Sequence, residues 1–272
     1  MNSDGSVRQQ LPVALVTGAT GGIGEATCRA LARRGATVIV AARNQVKAEA
    51  LCAELRDTGA RAVALRLDVM KGPELHAALD AVMRDLGPIQ WLVNNAGIAE
   101  SGKIDAADAP ARIRRMFEVN FFGAVRCFDS VLPAMREAGG GHVVQVASSA
   151  ALRGYPYVTS YAATKHALLG WTRSAALELV REHIGVSAVC PHYVDSPMTA
   201  ASVDNIVEKT GRSRAEAYQS LAKLNPGGRL VTCEEVAEAI GGLLLGTRTG
   251  VILELDGGSG RVVEEGHPFP PR

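Results

Sequence analysis

Three side chains in the middle of the chain have types and spacing that suit proton transfer. Ser148 is followed thirteen residues later by Tyr161, and Lys165 comes four residues after the tyrosine. Residues at i and i+4 lie on one face of a helix, and an ammonium one turn from a phenol favours the phenolate. A tyrosine, whose ordinary pKa is about 10, can then act as an acid or base near neutral pH. Taken alone, the pair is equally an exposed polar pair on a helix, and Ser148 a hydroxyl at a strand end.

The segments that must position these side chains alternate between two hydrophobic patterns. Short apolar runs rich in β-branched residues are nearly continuous in hydrophobicity, which is typical of strands covered on both faces. They predict seven strands, at residues 13–18, 37–43, 62–69, 89–94, 142–148, 185–190 and 251–255. Longer amphipathic segments predict helices at residues 23–34, 45–57, 73–86, 112–137, 157–182 and 233–245. This alternation predicts an α/β fold, a Rossmann-type, doubly wound parallel sheet of seven strands with helices on both faces.

No linker rich in Gly, Ser or Pro divides the chain, so residues 11–259 are predicted to form a single domain. Residues 1–10 are a polar N-terminal extension, and residues 260–272 are a Pro-containing C-terminal tail that is expected to extend from the core. Residues 196–225 fall outside the alternation and are predicted to be helical in part. Thr232, with Glu235 three residues later, predicts a capping box at the start of the last helix. Pro73 suits the first turn of its helix.

Composition excludes several classes of function. The 29 basic and 28 acidic residues give a formal net charge of +1, which provides no reason to expect nucleic acid or an anionic membrane as a partner. The five cysteines are scattered and form no C-x-x-C pair, so neither a disulfide framework nor a metal site is indicated, and a reducing, cytoplasmic setting fits. No apolar run approaches the roughly 20 residues that span a bilayer.

A glycine-rich loop follows the first predicted strand and opens the first predicted helix. It reads T-G-A-T-G-G-I-G over residues 17–24. Glycines permit a tight turn and a close approach of the backbone to a pyrophosphate, while the helix N-terminus supplies amide donors and a positive dipole end. In this order of strand, loop and helix, the motif predicts dinucleotide binding. The alternative is a glycine-rich turn that binds no ligand.

The glycine spacing T-G-x-x-x-G-x-G resembles that of the short-chain dehydrogenase/reductase family. The resemblance extends over about residues 12–258. N-N-A-G at residues 94–97 is similar to a family motif, and F-E-V-N at residues 117–120 is similar to the segment that carries the family's active-site asparagine. Ser148, Tyr161 and Lys165 match the family's Ser…Y-x-x-x-K set. The resemblance implies a Rossmann-type oxidoreductase that uses a nicotinamide dinucleotide.

The end of the second predicted strand bears on the choice of nicotinamide cofactor. An NAD site usually has an acidic residue there, which binds the ribose 2′-hydroxyl. Here the position holds Ala42, followed by Arg43. A neutral residue removes repulsion against a 2′-phosphate and a guanidinium can pair with it, so NADP(H) is predicted, as the resemblance also implies. The alternative leaves Arg43 as a surface residue and makes Asn44 a helix cap.

The resemblance implies a set of residues around the cofactor. Asp68 and Val69 match the pair that contacts the adenine, although Asp68 is equally a turn residue at a strand end. After the sixth strand the family usually shows P-G-x-x-x-T, where this chain has Pro191, His192 and Ser196 at the defined positions. Ser196 keeps the hydroxyl, whereas His192 adds bulk and either shapes the substrate pocket or points away from it. The implied cofactor-binding residues are Gly18, Thr20, Gly22, Ile23, Gly24, Arg43, Asp68, Val69, Asn95, Ala96, Gly97, Tyr161, Lys165, Pro191, Val194 and Ser196.

Hydride transfer to a carbonyl leaves a developing alkoxide that needs a proton. Tyr161 is predicted to donate that proton as general acid, or to remove it in the oxidative direction. Lys165 is predicted to stabilise the phenolate, and Ser148 to donate a hydrogen bond to the substrate oxygen. The resemblance further implies that Lys165 binds the nicotinamide ribose and that Asn120 holds a water molecule that links Lys165 to solvent.

The expected substrate is a small carbonyl compound. Candidate pocket residues are Tyr155, Tyr157, His192, Tyr193 and residues 196–225, which form a variable lid in the family. The sequence of this region is similar to 3-oxoacyl and aromatic polyketide ketoreductases, which implies NADPH-dependent reduction of such a ketone to a secondary alcohol. Open alternatives are an NAD(P)-dependent alcohol, hydroxyacyl or steroid-type dehydrogenase that works oxidatively, and a catalytically silent dinucleotide-binding regulator. The family also implies a homo-oligomer, specifically a homotetramer.

Overall fold

Strand β1 (Val13–Thr17) lies inside an eight-stranded sheet, and all five of its residues are buried. Ala14 and Val16 pack in one core cluster, whereas Val13 and Leu15 pack in another on the opposite face. A strand covered on both faces needs an uninterrupted apolar sequence, which is the pattern found here. The computed structural model describes residues 12–271, so the predicted N-terminal extension lies outside the described residues.

The sheet reverses its strand order next to β1. Its strands are β1, β2 (Thr37–Ala42), β3 (Ala62–Arg66), β4 (Ile89–Asn94), β5 (Gly141–Val146), β6 (Ile184–Pro191), β7 (Arg248–Leu255) and β8 (Arg261–Pro268). They lie in the order β3-β2-β1-β4-β5-β6-β7-β8, and the first seven run parallel. In such sheets the crevice at the carboxyl ends of the strands, where the order reverses, is the usual ligand site.

Helices cover both faces of the sheet. They are α1 (Gly22–Arg33), α2 (Gln45–Asp57), α3 (Gly72–Leu86), α4 (Ala109–Phe117), α5 (Gly123–Glu137), α6 (Thr159–Leu179), α7 (Pro197–Thr210), α8 (Arg214–Ala222) and α9 (Cys233–Leu244). Leu31 of α1 and Ile240 of α9 belong to the core cluster on one face. Leu79 of α3 and Leu179 of α6 belong to the cluster on the other face. The predicted doubly wound α/β fold is thereby confirmed.

The C-terminal residues differ from the sequence-based expectation of a tail that extends from the core. Strand β8 pairs antiparallel with β7 and adds an eighth strand to the predicted seven. The turn before it is held by Asp256 Oδ1, which accepts hydrogen bonds from Gly258 N at 2.8 Å and Gly260 N at 3.3 Å. Strand β8 covers the edge of β7, and its charged, Pro-ended sequence is typical of an edge strand. Such a strand lacks the continuous apolar pattern that identified the other seven.

The two helix starts predicted from capping residues are confirmed. Thr232 Oγ1 accepts from Glu235 N at 3.1 Å, and Glu235 Oε2 accepts from Thr232 N at 2.7 Å, which together form the capping box of α9. Pro73 lies in the first turn of α3. Residues 196–225, predicted to be partly helical, contain α7 and α8.

Three absences can be stated for residues 12–271. No helix in this part of the chain is both long enough and apolar enough to cross a membrane. The same residues contain no group of three or more His, Cys, Asp or Glu side chains that could hold a metal ion. The five cysteines are all buried and form no disulfide.

Candidate active site

The glycine loop between β1 and α1 is held by its own main chain and by Asn95. Gly18 has a φ of +61°, in the left-handed region that favours glycine. Its carbonyl accepts hydrogen bonds from Gly21 N at 3.2 Å and from Asn95 Nδ2 at 3.0 Å. Asn95 Nδ2 also donates to Thr17 O at 3.0 Å. The side-chain amide of Asn95, a predicted cofactor residue, is thus occupied in joining the loop after β4 to the glycine loop.

Gly24 lies where the glycine loop has no room for a side chain. A Cβ at Gly24 would lie 2.4 Å from Gly18 O and 2.8 Å from Ala19 Cα, both backbone atoms. A Cβ at Gly22 would lie 2.9 Å from Cys233 Sγ. The close approach at Gly24 brings the N-terminus of α1 against the carboxyl end of β1, which is the arrangement that binds pyrophosphate groups.

A cleft of about 240 Å³ opens where β1, β2 and β3 end. Arg43 and Asp68 line this cleft. The structural roles that the sequence offered as alternatives, a helix cap at Asn44 and a turn residue at Asp68, are present as well. Asn44 caps α2, since its Oδ1 accepts from Lys47 N at 3.0 Å, and Asp68 Oδ1 accepts from Met70 N at 3.0 Å as a turn residue does. Five further predicted cofactor residues line the cleft, namely Gly18, Thr20, Val69, Ala96 and Gly97.

The chemistry of this cleft suits a phosphorylated adenine ribose. Ala42 adds no negative charge to the cleft wall, and Arg43 offers a guanidinium that pairs well with phosphate oxygens. The glycine loop provides the close backbone approach that a pyrophosphate needs. The residues present therefore fit a dinucleotide that carries a 2′-phosphate.

A larger cleft of about 550 Å³ adjoins the first, because Gly97 and Ile98 line both. Ser148, Tyr161 and Lys165 line this second cleft together. Gly97 lies at this junction, where a Cβ would be 3.3 Å from Asn120 Oδ1 and 3.7 Å from Lys165 Nζ. The structure thus brings the predicted catalytic side chains together beside the predicted cofactor site.

Ser148 and Tyr161 face the cleft from different elements. Ser148 follows β5 in an extended conformation, and its Oγ accepts from Ala150 N at 3.1 Å at the start of a short 3₁₀ helix, Ser149–Ala151. Tyr161 lies in the first turn of α6. Burial raises the pKa of Tyr161 to about 12, and a hydrogen bond with Ser148 acts in the opposite direction. Tyr161 is therefore protonated at neutral pH, which is the form that a proton donor needs.

Lys165 is buried one helical turn after Tyr161. Only 5% of its surface is exposed, and its Nζ donates to Val146 O at 2.8 Å and lies 5.7 Å from the centre of the Tyr161 ring. Burial lowers the pKa of Lys165 to about 8. The structure differs here from the expectation that Lys165 depresses the pKa of Tyr161, because loss of water is the dominant effect on both groups.

The predicted helix at residues 112–137 is divided near the site. Helix α4 ends at Phe117, a π-helical turn spans Glu118–Phe122, and α5 begins at Gly123. Such turns are rare and often occur at functional sites. This one contains Asn120, the predicted active-site asparagine.

Asn120 is 1% exposed and joins two of the segments that carry the site. Its Oδ1 accepts from Ile98 N at 2.8 Å, and its Nδ2 donates to Ile98 O at 2.9 Å and to Thr164 Oγ1 at 3.1 Å. Thr164 Oγ1 in turn donates to Tyr161 O at 2.8 Å. Asn120 therefore links the loop after β4 to the turn of α6 that carries Tyr161.

His192 lines the larger cleft and is held by two residues at the end of β7, Glu254 and Leu255. Its side chain is 2% exposed, and its Nε2 lies 2.8 Å from Glu254 Oε1. Its main-chain N donates to Leu255 O at 2.8 Å. His192 thus belongs to the residues that line the cleft, while its buried imidazole is directed towards Glu254.

The other predicted pocket and nicotinamide residues divide into two groups. Tyr155 and Tyr193 line the larger cleft, as do Ile23, Pro191, Val194 and Ser196. Ser196 Oγ also caps α7 by accepting from Thr199 N at 3.4 Å. Tyr157 is absent from the cleft wall described here; it is 65% exposed and borders a separate small pocket next to α4.

Sequence reasoning missed two residues of the site. Thr164 bridges Asn120 to α6, but nothing in its sequence context marks it. Glu254 did have a signal, since a carboxylate inside the apolar run V-I-L-E-L is a charge in a buried strand.

The matches to known proteins agree with this geometry. The model of the family described as short chain dehydrogenase matches residues 12–207. The chain belongs to this family and is an oxidoreductase.

Similar proteins include a protein of Streptomyces coelicolor named "Putative ketoacyl reductase", 37% identical, with 87% of this chain and 91% of that protein covered. The cis-4-hydroxycyclohexanecarboxylate dehydrogenase of Sinomonas cyclohexanicum is also 37% identical, with 90% of this chain and 95% of that protein covered. Among solved structures, a variant of actinorhodin polyketide ketoreductase with NADPH has a TM-score of 0.86 and 36% identity, covering 91% of this chain and 96% of that one.

Proposed function

We propose that this protein reduces a ketone to a secondary alcohol with NADPH, and that Tyr161 is the proton donor. The observation that carries the proposal is the continuity of the two clefts. One contains Arg43 and the glycine loop, the other contains Ser148, Tyr161 and Lys165, and both share the wall at Gly97.

NADPH supplies the hydride when it is bound, and the side chains of the larger cleft deal with the substrate oxygen. Ser148 Oγ donates a hydrogen bond to the carbonyl oxygen, where negative charge develops. Tyr161 donates its proton to that oxygen. Burial keeps Tyr161 protonated before the transfer, and the Lys165 ammonium, 5.7 Å from the ring centre, is the nearby positive charge that would favour the phenolate formed by it. Asn120 holds the turn that carries Tyr161 and, by analogy with the family, a water molecule that returns protons from solvent.

The cofactor is NADP(H), for which the structural neighbours with NADPH provide support. The residues that would hold its adenosine half are Thr20, Arg43, Asp68 and Val69, beside Gly18, Gly22 and Gly24 of the loop. Asn95, Ala96 and Gly97 would lie along its middle, and Ile23, Tyr161, Lys165, Pro191, Val194 and Ser196 around its nicotinamide end.

The substrate class is proposed from two features. The first is the pair Tyr155 and Tyr193, which give aromatic walls to the part of the larger cleft that the nicotinamide end would leave free. The relatives named as ketoacyl and polyketide ketoreductases support a 3-oxoacyl or polyketide ketone.

A dehydrogenase that oxidises a cyclic alcohol is the second candidate, because one relative is a cis-4-hydroxycyclohexanecarboxylate dehydrogenase. The same residues serve that direction, with Tyr161 as the base. A silent regulator is disfavoured, because a sensor has no need for a proton donor beside the cofactor cleft.

Replacement of Tyr161 tests the proton donor. Tyr161→Phe keeps the ring and removes the hydroxyl, so ketone-dependent oxidation of NADPH is expected to fall by at least about a hundredfold, the usual contribution of a general acid. NADPH binding, followed by fluorescence titration, should persist. Tyr157→Phe is the matched control, because that tyrosine is exposed and lies apart from the cleft. Normal turnover by Tyr161→Phe would contradict the assignment.

The pH dependence tests Lys165. Its pKa of about 8 means that the ammonium loses its proton, and its charge, as the pH rises through that value. With NADPH as the varied substrate, kcat/KM reports the free enzyme and should fall above about pH 8. The arginine of Lys165→Arg keeps its charge at all accessible pH, so this fall in kcat/KM at high pH should disappear. Lys223→Met should leave the fall unchanged. If kcat/KM of Lys165→Arg still falls at high pH, the titrating group is not Lys165.

Reversal of charge at Arg43 tests the cofactor preference. Arg43→Asp replaces a phosphate partner with a group that repels phosphate and accepts from a 2′-hydroxyl. The ratio of kcat/KM for NADPH to that for NADH should fall by at least about tenfold, the equivalent of one charge-assisted hydrogen bond. Arg212→Asp, exposed between α7 and α8, should not change the ratio. An unchanged ratio in Arg43→Asp would remove the basis for the cofactor assignment.

We also propose a cytoplasmic homotetramer. The family suggests assembly through the long helices on either side of Ser148, and the apolar Leu177 of α6 is 58% exposed. Light scattering should give about four times the chain mass of 28.5 kDa. Leu177→Glu should shift the mass downwards if α6 forms an interface, and a monomer in the unsubstituted protein would contradict the proposal.

A further inference from the structure

Glu254 is a carboxylate inside an otherwise apolar stretch of β7. In the sheet, Glu254 lies opposite Cys190 of β6 on one side and Arg261 of β8 on the other, and only 3% of its surface is exposed. Carboxylates are seldom buried to this extent unless they are paired, because loss of water penalises the charge.

Three donor side chains surround the Glu254 carboxylate. His192 Nε2 lies 2.8 Å from Oε1, Arg261 Nη2 donates to Oε2 at 2.6 Å, and Arg153 Nη2 donates to Oε1. Burial opposes the charge of Glu254 most strongly, yet the hydrogen bonds of His192 and Arg261 and the attraction of Arg153 leave its pKa below the ordinary value. The group is therefore a carboxylate at neutral pH.

The three partners come from three separate parts of the molecule. Arg153 follows the short 3₁₀ helix that Ser148 caps, His192 follows the last residue of β6, and Arg261 opens β8. The two guanidinium groups balance the charge from the solvent side, since the side chains of Arg153 and Arg261 are 43% and 63% exposed. His192 is buried and lines the larger cleft.

The hydrogen bond to Glu254 fixes the imidazole of His192. A carboxylate only accepts, so Nε2 carries the hydrogen and the ring cannot turn without leaving a buried donor unpaired. The family usually has glycine at this position, which has no ring to hold. A residue that lines the larger cleft therefore carries, in this chain, an imidazole whose orientation depends on Glu254.

We propose that Glu254 is a positioning residue that acts through His192, holding the imidazole so that the ketone presents its carbonyl to Ser148 and Tyr161. The proposal rests on the proposed ketone reduction. Arg261 joins β8, the strand that was expected to be a tail, to the same carboxylate, so the C-terminal strand contributes to the geometry of the substrate cleft.

A double-mutant cycle tests this dependence. Glu254→Gln should lower kcat/KM for the ketone by about tenfold, the equivalent of one lost charge-assisted hydrogen bond, while the Kd for NADPH changes by less than about twofold. In a His192→Gly background the same substitution should have no further effect, because the ring on which it acts is gone. Effects that multiply in the double variant, or wild-type kinetics for Glu254→Gln, would overturn the proposal. Glu264→Gln on β8 removes an exposed carboxylate paired with Arg173 and serves as control.

Two further measurements cover the case in which Glu254→Gln does not fold. Arg261→Gln removes one cation from the exposed side of the carboxylate and should lower kcat/KM for the ketone in the wild-type background only. An equal loss in the His192→Gly background would contradict action through His192. Two-bond ¹H–¹⁵N spectra of His192 need no substrate and should show the Nε2–H tautomer in the wild type.

The same spectra separate failure of this proposal from failure of the proposed function. If no ketone is reduced by the wild type, the proposed function fails. The tautomer of His192 still shows whether Glu254 holds the imidazole. Loss of the Nε2–H signature in Glu254→Gln or Arg261→Gln supports the hydrogen bond as the element that holds the ring. Retention of the Nε2–H signature in both variants would refute the positioning of His192 by Glu254, whatever the enzyme reduces.

Discussion

The two ends of the sheet hold their loops in different ways. Around β1 and β2 the contacts are made largely by main-chain atoms: Gly21 N donates to Gly18 O at 3.2 Å, and Ala19 N donates to Ala41 O at 3.1 Å. Around β7 and β8 the contacts are made by charged side chains, of which Glu254 is the most buried.

The difference shows which parts of a site depend on local sequence. A loop held by its backbone needs glycine at defined positions, and those positions follow one another along the chain. A wall held by side chains needs partners such as Arg153, His192 and Arg261, which are far apart in sequence and meet only in the fold. Substitutions at the first end should act through steric exclusion, and substitutions at the second through charge and protonation.

Gly24→Ala is expected to have the largest effect. The new Cβ would meet Gly18 O at 2.4 Å and Ala19 Cα at 2.8 Å, and neither backbone atom can move without opening the loop. Overpacking of this kind costs about 3 kcal/mol. We expect a clear fall in the thermal unfolding midpoint and a rise of at least about a hundredfold in the Kd for NADPH.

Gly242→Ala is the matched control for that change. Gly242 is an exposed residue of α9, and a Cβ there would meet nothing within 4 Å. Alanine in a helix interior is more favourable than glycine by about 1 kcal/mol, so this variant should be more stable than the wild type, with unchanged NADPH binding. A tolerated Gly24→Ala would show that the loop is less rigid than its close approaches indicate.

Protonation of His142 should have an intermediate effect, at the packing contact between β5 and Phe269, the residue that follows β8. His142 lies in β5 and packs edge-to-face against Phe269, with ring centres 5.6 Å apart. Burial lowers its pKa to about 4. Since the folded state binds the proton less well than the unfolded state, the stability from neutral His142 is complete above about pH 6.5 and is lost as the pH falls towards 4.

Urea unfolding at pH 7 and pH 4 measures this loss. The wild type should lose about 3 kcal/mol more than His142→Gln over that interval, because the variant has no ring to protonate. His267→Gln, an exposed change on β8, should behave like the wild type. Equal losses in the wild type and His142→Gln would place the acid sensitivity in other groups.

The same contrast explains what the sequence could predict. The residues of the glycine loop and the set of Ser148, Tyr161 and Lys165 were each predicted from the sequence, because each motif depends on local spacing. The structure brings them together in adjoining clefts.

Strand β8 was not predicted, because an edge strand has one covered edge and no continuous apolar pattern. The role of Glu254 was not predicted either, since its partners are identified only by the packing of β6, β7 and β8. Tyr157 was a candidate pocket residue, but its backbone has a φ of 66° and the residue is exposed.

The smallest effect is expected for Glu264→Gln, which removes an ion pair at the same end of the sheet. Arg173 and Glu264 are 44% and 38% exposed, so water screens their attraction, and the loss should stay below about 1 kcal/mol in urea unfolding. In 1 M salt, where screening acts over about 3 Å, the difference from the wild type should shrink further. A salt-insensitive loss above about 2 kcal/mol would mean that β8 depends on this pair as well as on the Glu254 cluster. In that case, charged side chains would hold the whole C-terminal edge, and not only the wall of the substrate cleft.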